Sequence, residues 1–149
     1  VAAYGLFGQG TLIVAASGNE SARPNYEIAV APPAAATGVV AVSALEQSPQ
    51  GLQVADFANN QADIAAPGVD IVSAEAGAGG LTSMSGTSMA TPHVAGVAVL
   101  WAQRQMEMTG RVEHLSMLAQ LVASGTREGL VADSEEDDVG TGLVQAPLT

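Results

Sequence analysis

The sequence predicts an α/β fold in which a largely parallel sheet is flanked by helices. Short, almost wholly apolar runs such as Thr11–Ala16 and Gly38–Ala44 are typical of parallel strands, because such strands are covered on both faces. A longer run, Ser88–Met106, has helical character. Strands of this kind combined with helices indicate the α/β class. The 149 residues are enough for one domain with a buried core.

Several shorter apolar segments are bounded by glycine or proline, which interrupt regular structure. The first, Val1–Phe7, is predicted to be the end of a helix. Strands are predicted at Ala62–Ala66 and Val69–Ala74, separated by Pro67-Gly68, and a hairpin tip at Gly77–Gly80 leads into Leu81–Met84.

Two helices are predicted in the C-terminal part of the chain. The first, Ser88–Met106, contains the stretch Val94–Ala102, which is apolar all round and therefore indicates a central, buried helix. The second is Ser116–Ala123, for which the sequence suggests Ser116 as the N-cap and Gly125 as the C-cap.

Charge and composition exclude several classes of function. With 15 acidic residues against 4 basic ones, the net charge is −11, which argues against binding to nucleic acid or to anionic membranes. The chain has no cysteine, so disulfides, thiolate metal sites and a cysteine nucleophile are excluded. No run approaches the roughly 18 apolar residues of a membrane-spanning helix, and no membrane segment is predicted.

The most informative run is GTSMATPHVAG, residues 86–96. It places Ser88 at the start of the long helix among small residues, which allow other backbone and a substrate to come close. A helix N-terminus offers unpaired N–H groups and a positive dipole end, which suit a serine whose reaction develops negative charge. The simpler interpretation of an isolated serine at this position is a helix cap.

A second candidate site follows the first apolar strand, in the run AASGNE. Functional groups gather at the carboxyl ends of parallel strands, and Asn19 lies just beyond such an end. Alone, the pair Gly18-Asn19 would indicate no more than a turn.

Taken together, the two runs resemble the active-serine and oxyanion-asparagine segments of the subtilisin-like serine proteases, the subtilases. The resemblance implies that Ser88 is the nucleophile that forms the acyl-enzyme. It implies that Asn19 donates its side-chain N–H to the oxyanion together with the backbone N–H of Ser88, and that Thr87 lies beside this oxyanion hole.

The same resemblance implies a pocket for the substrate residue that precedes the cleaved bond. Ala16, Ser17 and Gly18 would form one wall of this pocket, and Val30 would lie near its base. A medium-sized aliphatic residue there would favour moderately sized apolar side chains over large aromatic ones.

Over nearly all of residues 1–149, the resemblance is to the C-terminal half of a subtilase catalytic domain with its three-layer fold. Subtilases order their catalytic residues Asp, His, Ser, but neither the Asp-Ser/Thr-Gly nor the His-Gly-Thr-His motif occurs here. The only histidines, His93 and His114, follow Ser88. The resemblance therefore implies two partners, a peptide substrate and an N-terminal half that carries the base, and the chain alone is expected to be inactive.

Two other functions remain open from the sequence. Gly86-Thr87-Ser88-Met89-Ala90 loosely resembles the nucleophile elbow of α/β-hydrolases, although that fold needs a histidine after its acid and none follows His114. A non-catalytic pseudoprotease or binding module that keeps the half-fold is the second alternative.

No cofactor is predicted apart from a structural calcium ion, for which the acidic run at residues 133–138 is the candidate. That run lacks the spacing of an EF-hand loop, so a solvated acidic loop is the favoured interpretation, and no metal ligands are assigned. The family resemblance implies secretion or a cell-envelope location for the full-length protein, although no signal sequence is visible in this chain.

Overall fold

The computed structural model describes residues 10–77 and 79–148. The predicted helix end at Val1–Phe7 lies outside these residues. The described strands are β1 (Ile13–Ala16), β2 (Val39–Ser48), β3 (Gly51–Val54), β4 (Ile64–Pro67), β5 (Ile71–Ala74) and β6 (Leu81–Met84). The described helices are α1 (Thr87–Thr109), α2 (His114–Ala123) and α3 (Glu136–Val139).

Strand β2 is the centre of a four-stranded sheet. It pairs in parallel with β1, where Ile13 faces Val39, and in parallel with β4, where Val42 faces Ile64. The short β3 pairs with the far end of β2 in the antiparallel direction. The predicted α/β fold with a largely parallel sheet is therefore confirmed. Strands β5 and β6 form a separate hairpin, as the glycine-rich tip predicted.

The core lies on both faces of this sheet, which explains the unbroken apolar runs. Val40 and Val42 point into one cluster together with Val94 of α1 and Leu121 of α2. Their neighbour Leu45 belongs to a second cluster on the other face, with Val139 of α3. Alternate residues of β2 thus pack against opposite layers, which explains why the buried half of the strand is almost wholly apolar, with Ser43 as its one polar residue.

The hairpin between β2 and β3 was not predicted. β2 continues past the predicted end at Ala44 for four more residues, of which Glu46, Gln47 and Ser48 are polar, and this extension pairs with β3. Because only one face of this extension is covered, its sequence lacks the apolar run that marked the buried half of the strand.

Helix α1 is covered on one side only by the described residues, so the prediction of all-round burial is wrong for this part of the structure. Thr87, Ala90, Val94 and Ala98 are buried and share one face. On other faces Val99 keeps 66% of its surface exposed. The apolar residues of this helix exceed what the sheet and α2 can cover.

The predicted caps of α2 are also wrong. The helix begins at His114, and its N-cap is Glu113, whose carboxylate accepts hydrogen bonds from the backbone N–H groups of Leu115 and Ser116. Ser116 is therefore inside the first turn. The C-cap is Ser124, one residue before the predicted Gly125. An acidic side chain satisfies the free N–H groups of a first turn as a serine would, and it also complements the helix dipole.

Candidate active site

Ser88 is the second residue of α1 and its side chain is exposed. The N-cap position is occupied by Gly86, which has no side chain to make a cap hydrogen bond. The interpretation of Ser88 as a simple helix cap is therefore wrong. The serine hydroxyl instead lies next to the first N–H groups of a long helix, which have no partner within the helix itself.

Asn19 lies beside this helix start, although it is 68 residues away in the sequence. Its side-chain oxygen Oδ1 accepts a hydrogen bond of 2.9 Å from the Thr87 backbone N–H and another of 2.9 Å from the Thr87 hydroxyl. A backbone N–H can only donate, so this contact requires the oxygen end of the amide to face Thr87. The NH₂ end of Asn19, next to Gly86, is left as a donor.

Thr87 links the loop after β1 to α1 through its side chain as well. It is fully buried, and its hydroxyl oxygen also accepts a hydrogen bond of 3.3 Å from the Gly18 backbone N–H. Two segments distant in sequence thus meet at Thr87, immediately before the serine.

The predicted pocket wall lies at the carboxyl end of β1. Ala16 is the last residue of that strand, and Ser17 is fully buried. The Ser17 N–H donates to the Val42 carbonyl at 3.0 Å, and its own carbonyl accepts from the Ala31 N–H at 2.9 Å. The segment predicted to form the wall is therefore held by backbone hydrogen bonds on both sides.

Val30 is half-buried, and its neighbour Ala31 is the residue hydrogen-bonded to Ser17. The Val30 side chain packs against a small apolar cluster that includes Ala15 and Ala41. The structure thus brings Val30 close to the predicted wall, whereas its place at the base of a substrate pocket stays a prediction.

An open cleft of about 450 Å³ borders Ser88 on the side of the β5–β6 hairpin. Its walls are mainly apolar and include Ile71 and Met84 of the hairpin. From α1 they include Met89 and His93. A cleft of this volume falls within the usual range for ligand-binding pockets.

His93 borders the same cleft as Ser88, although the two residues are five positions apart on the helix. Five positions correspond to about 140° of rotation and about 7.5 Å of rise. The His93 ring atom Nδ1 lies 3.0 Å from the carbonyl oxygen of Met89 in the preceding turn. This histidine is thus engaged with its own helix.

Sequence reasoning missed one polar residue near the site, Asn59. It lies between β3 and β4, has no exposed surface, and contacts the loop that carries Asn19. Its sequence context, Asn59-Asn60-Gln61, resembles an ordinary polar turn, so no local signal marks it.

The acidic segment proposed for calcium is partly occupied by ion pairs. The buried carboxylate of Asp138 pairs with Arg23, which also lies 3.6 Å from the carboxylate of Glu27. Within residues 10–77 and 79–148, no group of three or more acidic, histidine or cysteine side chains is arranged to hold a metal ion. A structural calcium stays a prediction.

Comparison with known protein families tests the family resemblance that the runs around Ser88 and Asn19 indicate. The model of Peptidase_S8, described as the Subtilase family, matches residues 1–138. The chain belongs to the subtilase family. This membership replaces the α/β-hydrolase interpretation.

Relatives of this subtilase include bacterial serine proteases. It is 43% identical over 98 residues to "Thermophilic serine proteinase" of Bacillus sp. (strain AK1), an alignment covering 64% of this chain and 22% of the relative. It is 42% identical over 101 residues to "Thermostable alkaline protease" of Halalkalibacterium halodurans, covering 67% and 26%. The chain thus spans about a quarter of the length of these relatives.

A solved structure has the same fold. The structure titled "S41 Psychrophilic Protease" superposes on 98% of this subtilase with a TM-score of 0.81 and 26% identity, and 52% of that protein is covered. The predicted subtilisin-like architecture is confirmed by this match. No helix within the described part of the chain is long and apolar enough to cross a membrane.

Proposed function

We propose that this subtilase chain is the C-terminal part of a serine endopeptidase domain and carries the nucleophile Ser88 and the oxyanion donor Asn19. The observation that carries the proposal is the junction at Thr87, which joins the loop of Asn19 to the residue before Ser88. The loop of Asn19 and the start of α1 are far apart in the sequence, and an acyl-transfer reaction would need both at this place.

The chemistry assigns one role to each group. The Ser88 hydroxyl attacks the carbonyl carbon of the peptide and transfers its proton to a base. The carbonyl oxygen becomes an oxyanion, which accepts hydrogen bonds from the Asn19 side-chain NH₂ and the Ser88 backbone N–H. The amine then leaves with a proton, and water releases the acyl group from the serine.

The orientation of Asn19 supports this role for its NH₂ group. Thr87 holds the oxygen end of the amide with two donors, so the donor end is directed away from Thr87 before any substrate arrives. A donor fixed in this way needs no reorganisation when the oxyanion forms, which is the main source of stabilisation at such sites.

The base and its orienting acid are proposed to come from an N-terminal half that is not included in residues 1–149. The chain covers 52% of the solved structure named above, which leaves room for such a half. Among the described strands, β1 pairs only with β2, so its outer edge offers free backbone groups. Beside this edge, Leu12, Val14 and Val99 line an apolar groove with Ala98 and Met117. We propose that the N-terminal half covers this groove.

The substrate is proposed to be a peptide or protein. The residue before the cleaved bond would lie against Ala16-Ser17-Gly18, with Val30 limiting its size. The cleft beside Ser88 and the β5–β6 hairpin would hold a further part of the same peptide. Secretion or a cell-envelope location of the full-length protein is proposed from the family resemblance alone.

A non-catalytic subtilase-like module is the second candidate. Neither an Asp-Ser/Thr-Gly nor a His-Gly-Thr-His motif occurs within residues 1–149, so these residues fit either candidate. The two candidates differ in one readout: a serine-directed fluorophosphonate probe labels Ser88 in the full-length protein only if a base activates its hydroxyl.

Replacing Asn19 with alanine in the full-length protein should lower kcat by about 10²–10³, a figure taken over from the equivalent asparagine of subtilisin itself. KM should change much less, because the oxyanion exists in the transition state and not in the bound substrate. Steady-state kinetics on a chromogenic peptide measures both constants. The matched control is Asn25→Ala, in an exposed turn, which should leave both unchanged. A loss confined to KM would show that Asn19 binds the substrate instead.

Replacing His93 with alanine should leave kcat within a few-fold of the parent value. Its ring is held by the Met89 carbonyl and lies about 140° around the helix from Ser88, so it is badly placed to take the serine proton. The pH profile of kcat/KM provides the measurement. One limb of this profile reflects the ionisation of the catalytic base. If that limb disappears in His93→Ala, His93 is the base.

A further inference from the structure

On the side away from Thr87, the loop that carries Asn19 is hydrogen-bonded to the buried side-chain amide of Asn59. Asn59 has no exposed surface, whereas Asn19 and Glu20 are exposed. A fully buried polar side chain persists only where its hydrogen bonds are satisfied. Every polar atom of Asn59 has a partner, and most of these partners lie between residues 17 and 21.

The contacts of Asn59 enclose Asn19 from both sides. Its Oδ1 accepts hydrogen bonds from the backbone N–H groups of Glu20 at 3.0 Å and Ser21 at 3.1 Å, after Asn19. Its backbone N–H donates to the Gly18 carbonyl at 3.1 Å, before Asn19. Its backbone carbonyl accepts from the Ser17 hydroxyl at 3.2 Å.

Glu20 extends this constraint to Asn19 itself. One oxygen of its carboxylate, Oε2, accepts a hydrogen bond of 2.7 Å from the Asn59 side-chain NH₂ and one of 3.0 Å from the Asn19 backbone N–H. The Asn19 main chain is thus linked to the buried amide through a single oxygen atom, and the Asn19 side chain is linked to Thr87.

Gly18 allows this close packing. Its φ of +116° lies in the region that side chains rarely adopt, and a Cβ at this position would come within 2.3 Å of the Asn59 side-chain nitrogen and 2.5 Å of Glu20 Oε2. The glycine of the SGNE run is therefore needed for Asn59 and Glu20 to reach the loop.

We propose that Asn59 is a positioning residue for oxyanion stabilisation, which acts by holding residues 18–21 so that the Asn19 NH₂ points at the developing oxyanion. This inference rests on the proposed function of Asn19. A catalytic donor on an exposed loop requires a rigid support, because displacement of about 1 Å removes much of its effect. Asn59 provides that support from a fully buried position between β3 and β4.

A double-mutant cycle in the full-length protein separates positioning from general stabilisation. Asn59→Ala should lower kcat at least about tenfold, but by less than the loss of the donor itself, with KM nearly unchanged. In the Asn19→Ala background the same substitution should lower kcat by less than about twofold, because no donor remains to be positioned. An equal loss of kcat in both backgrounds, or wild-type kcat in Asn59→Ala, would overturn the proposal.

Two further variants address the stability of the fold. Leu121→Ala removes a fully buried side chain of α2 away from the site, and it should lower the melting temperature with kcat unchanged. Glu20→Ala removes the exposed carboxylate that links Asn59 to Asn19, with little risk to folding, and it should reproduce the kcat loss and its non-additivity with Asn19→Ala. If Asn59→Ala does not fold, Glu20→Ala decides the question in the same cycle.

Amide hydrogen exchange gives a readout that does not depend on peptidase activity. In Asn59→Ala or Glu20→Ala, amides of residues 17–21 should exchange faster, whereas Leu121→Ala should leave them as protected as in the parent. Unchanged exchange there would overturn the positioning role. A parent protein without Ser88-dependent activity would instead refute the proposed function, and the exchange result would still decide whether Asn59 holds the loop.

Discussion

Ser88→Ala in the full-length protein should abolish peptidase activity, lowering kcat by about 10⁶, the scale carried over from the equivalent serine of subtilisin. The substitution removes the only atom that can form the acyl-enzyme, and it leaves the helix start intact because Ser88 makes no cap hydrogen bond. Folding should therefore be unaffected. Hydrolysis of a general peptide substrate measures activity, and fluorophosphonate labelling reports the nucleophile directly.

The matched control for this prediction is Ser83→Ala, which makes the same change at an exposed serine of the neighbouring strand β6. It should retain both activity and labelling. If Ser88→Ala keeps substantial activity, or if the probe labels a different serine, Ser88 is not the nucleophile and the non-catalytic module becomes the better account of this chain.

The candidate nucleophile and the candidate oxyanion donor could be predicted from the sequence because each lies in a short, continuous run. GTSMATPHVAG and SGNE predict Ser88 and Asn19 as site residues without any knowledge of the fold, and the structure brings both runs to the start of α1. Thr87 was predicted to lie beside the oxyanion hole, and the structure adds that it joins the two runs by hydrogen bonds. Such a junction forms only when the chain folds, since it spans 68 residues.

Asn59 was not predicted because its significance lies entirely in long-range contacts. Its partners in the loop are 38 to 42 residues away, and its own neighbours form an unremarkable polar turn. The caps of α2 were mispredicted for a related reason: serine, glutamate and glycine near a helix end compete for the cap positions, and packing decides between them. Local patterns thus indicate candidate chemical groups, whereas the residues that hold those groups in place are recognisable only from long-range contacts.

The long helix α1 shows a different kind of discrepancy, because its apolar surface is larger than the described part of the chain covers. Its apolar circumference predicts burial on all sides, yet Val99 and Leu100 keep 66% and 45% of their surfaces exposed. An all-round apolar helix normally lies inside a larger body. The exposed side of α1 is therefore the direction in which we expect the rest of a catalytic domain.

The purified 149-residue chain alone should hydrolyse peptides no faster than its own Ser88→Ala variant within the detection limit. A serine hydroxyl is a weak nucleophile without a base, and neither histidine of the chain is suitably placed. His93 is held by the Met89 carbonyl, and His114 is buried in the first turn of α2. A donor site without a base leaves only a small residual rate over water.

Labelling by a fluorophosphonate probe tests this prediction, with and without a separately produced N-terminal half of the same protein. We expect no labelling of the chain alone, and restored labelling of Ser88 when the N-terminal half is added, because it would supply the base and cover the groove at Leu12, Val14 and Val99. Leu12→Asp should prevent this restoration by placing a charge in the groove, whereas Gln103→Asp, on an exposed part of α1 outside the groove, should not. Rapid labelling of Ser88 in the chain alone would mean that a base exists within these residues.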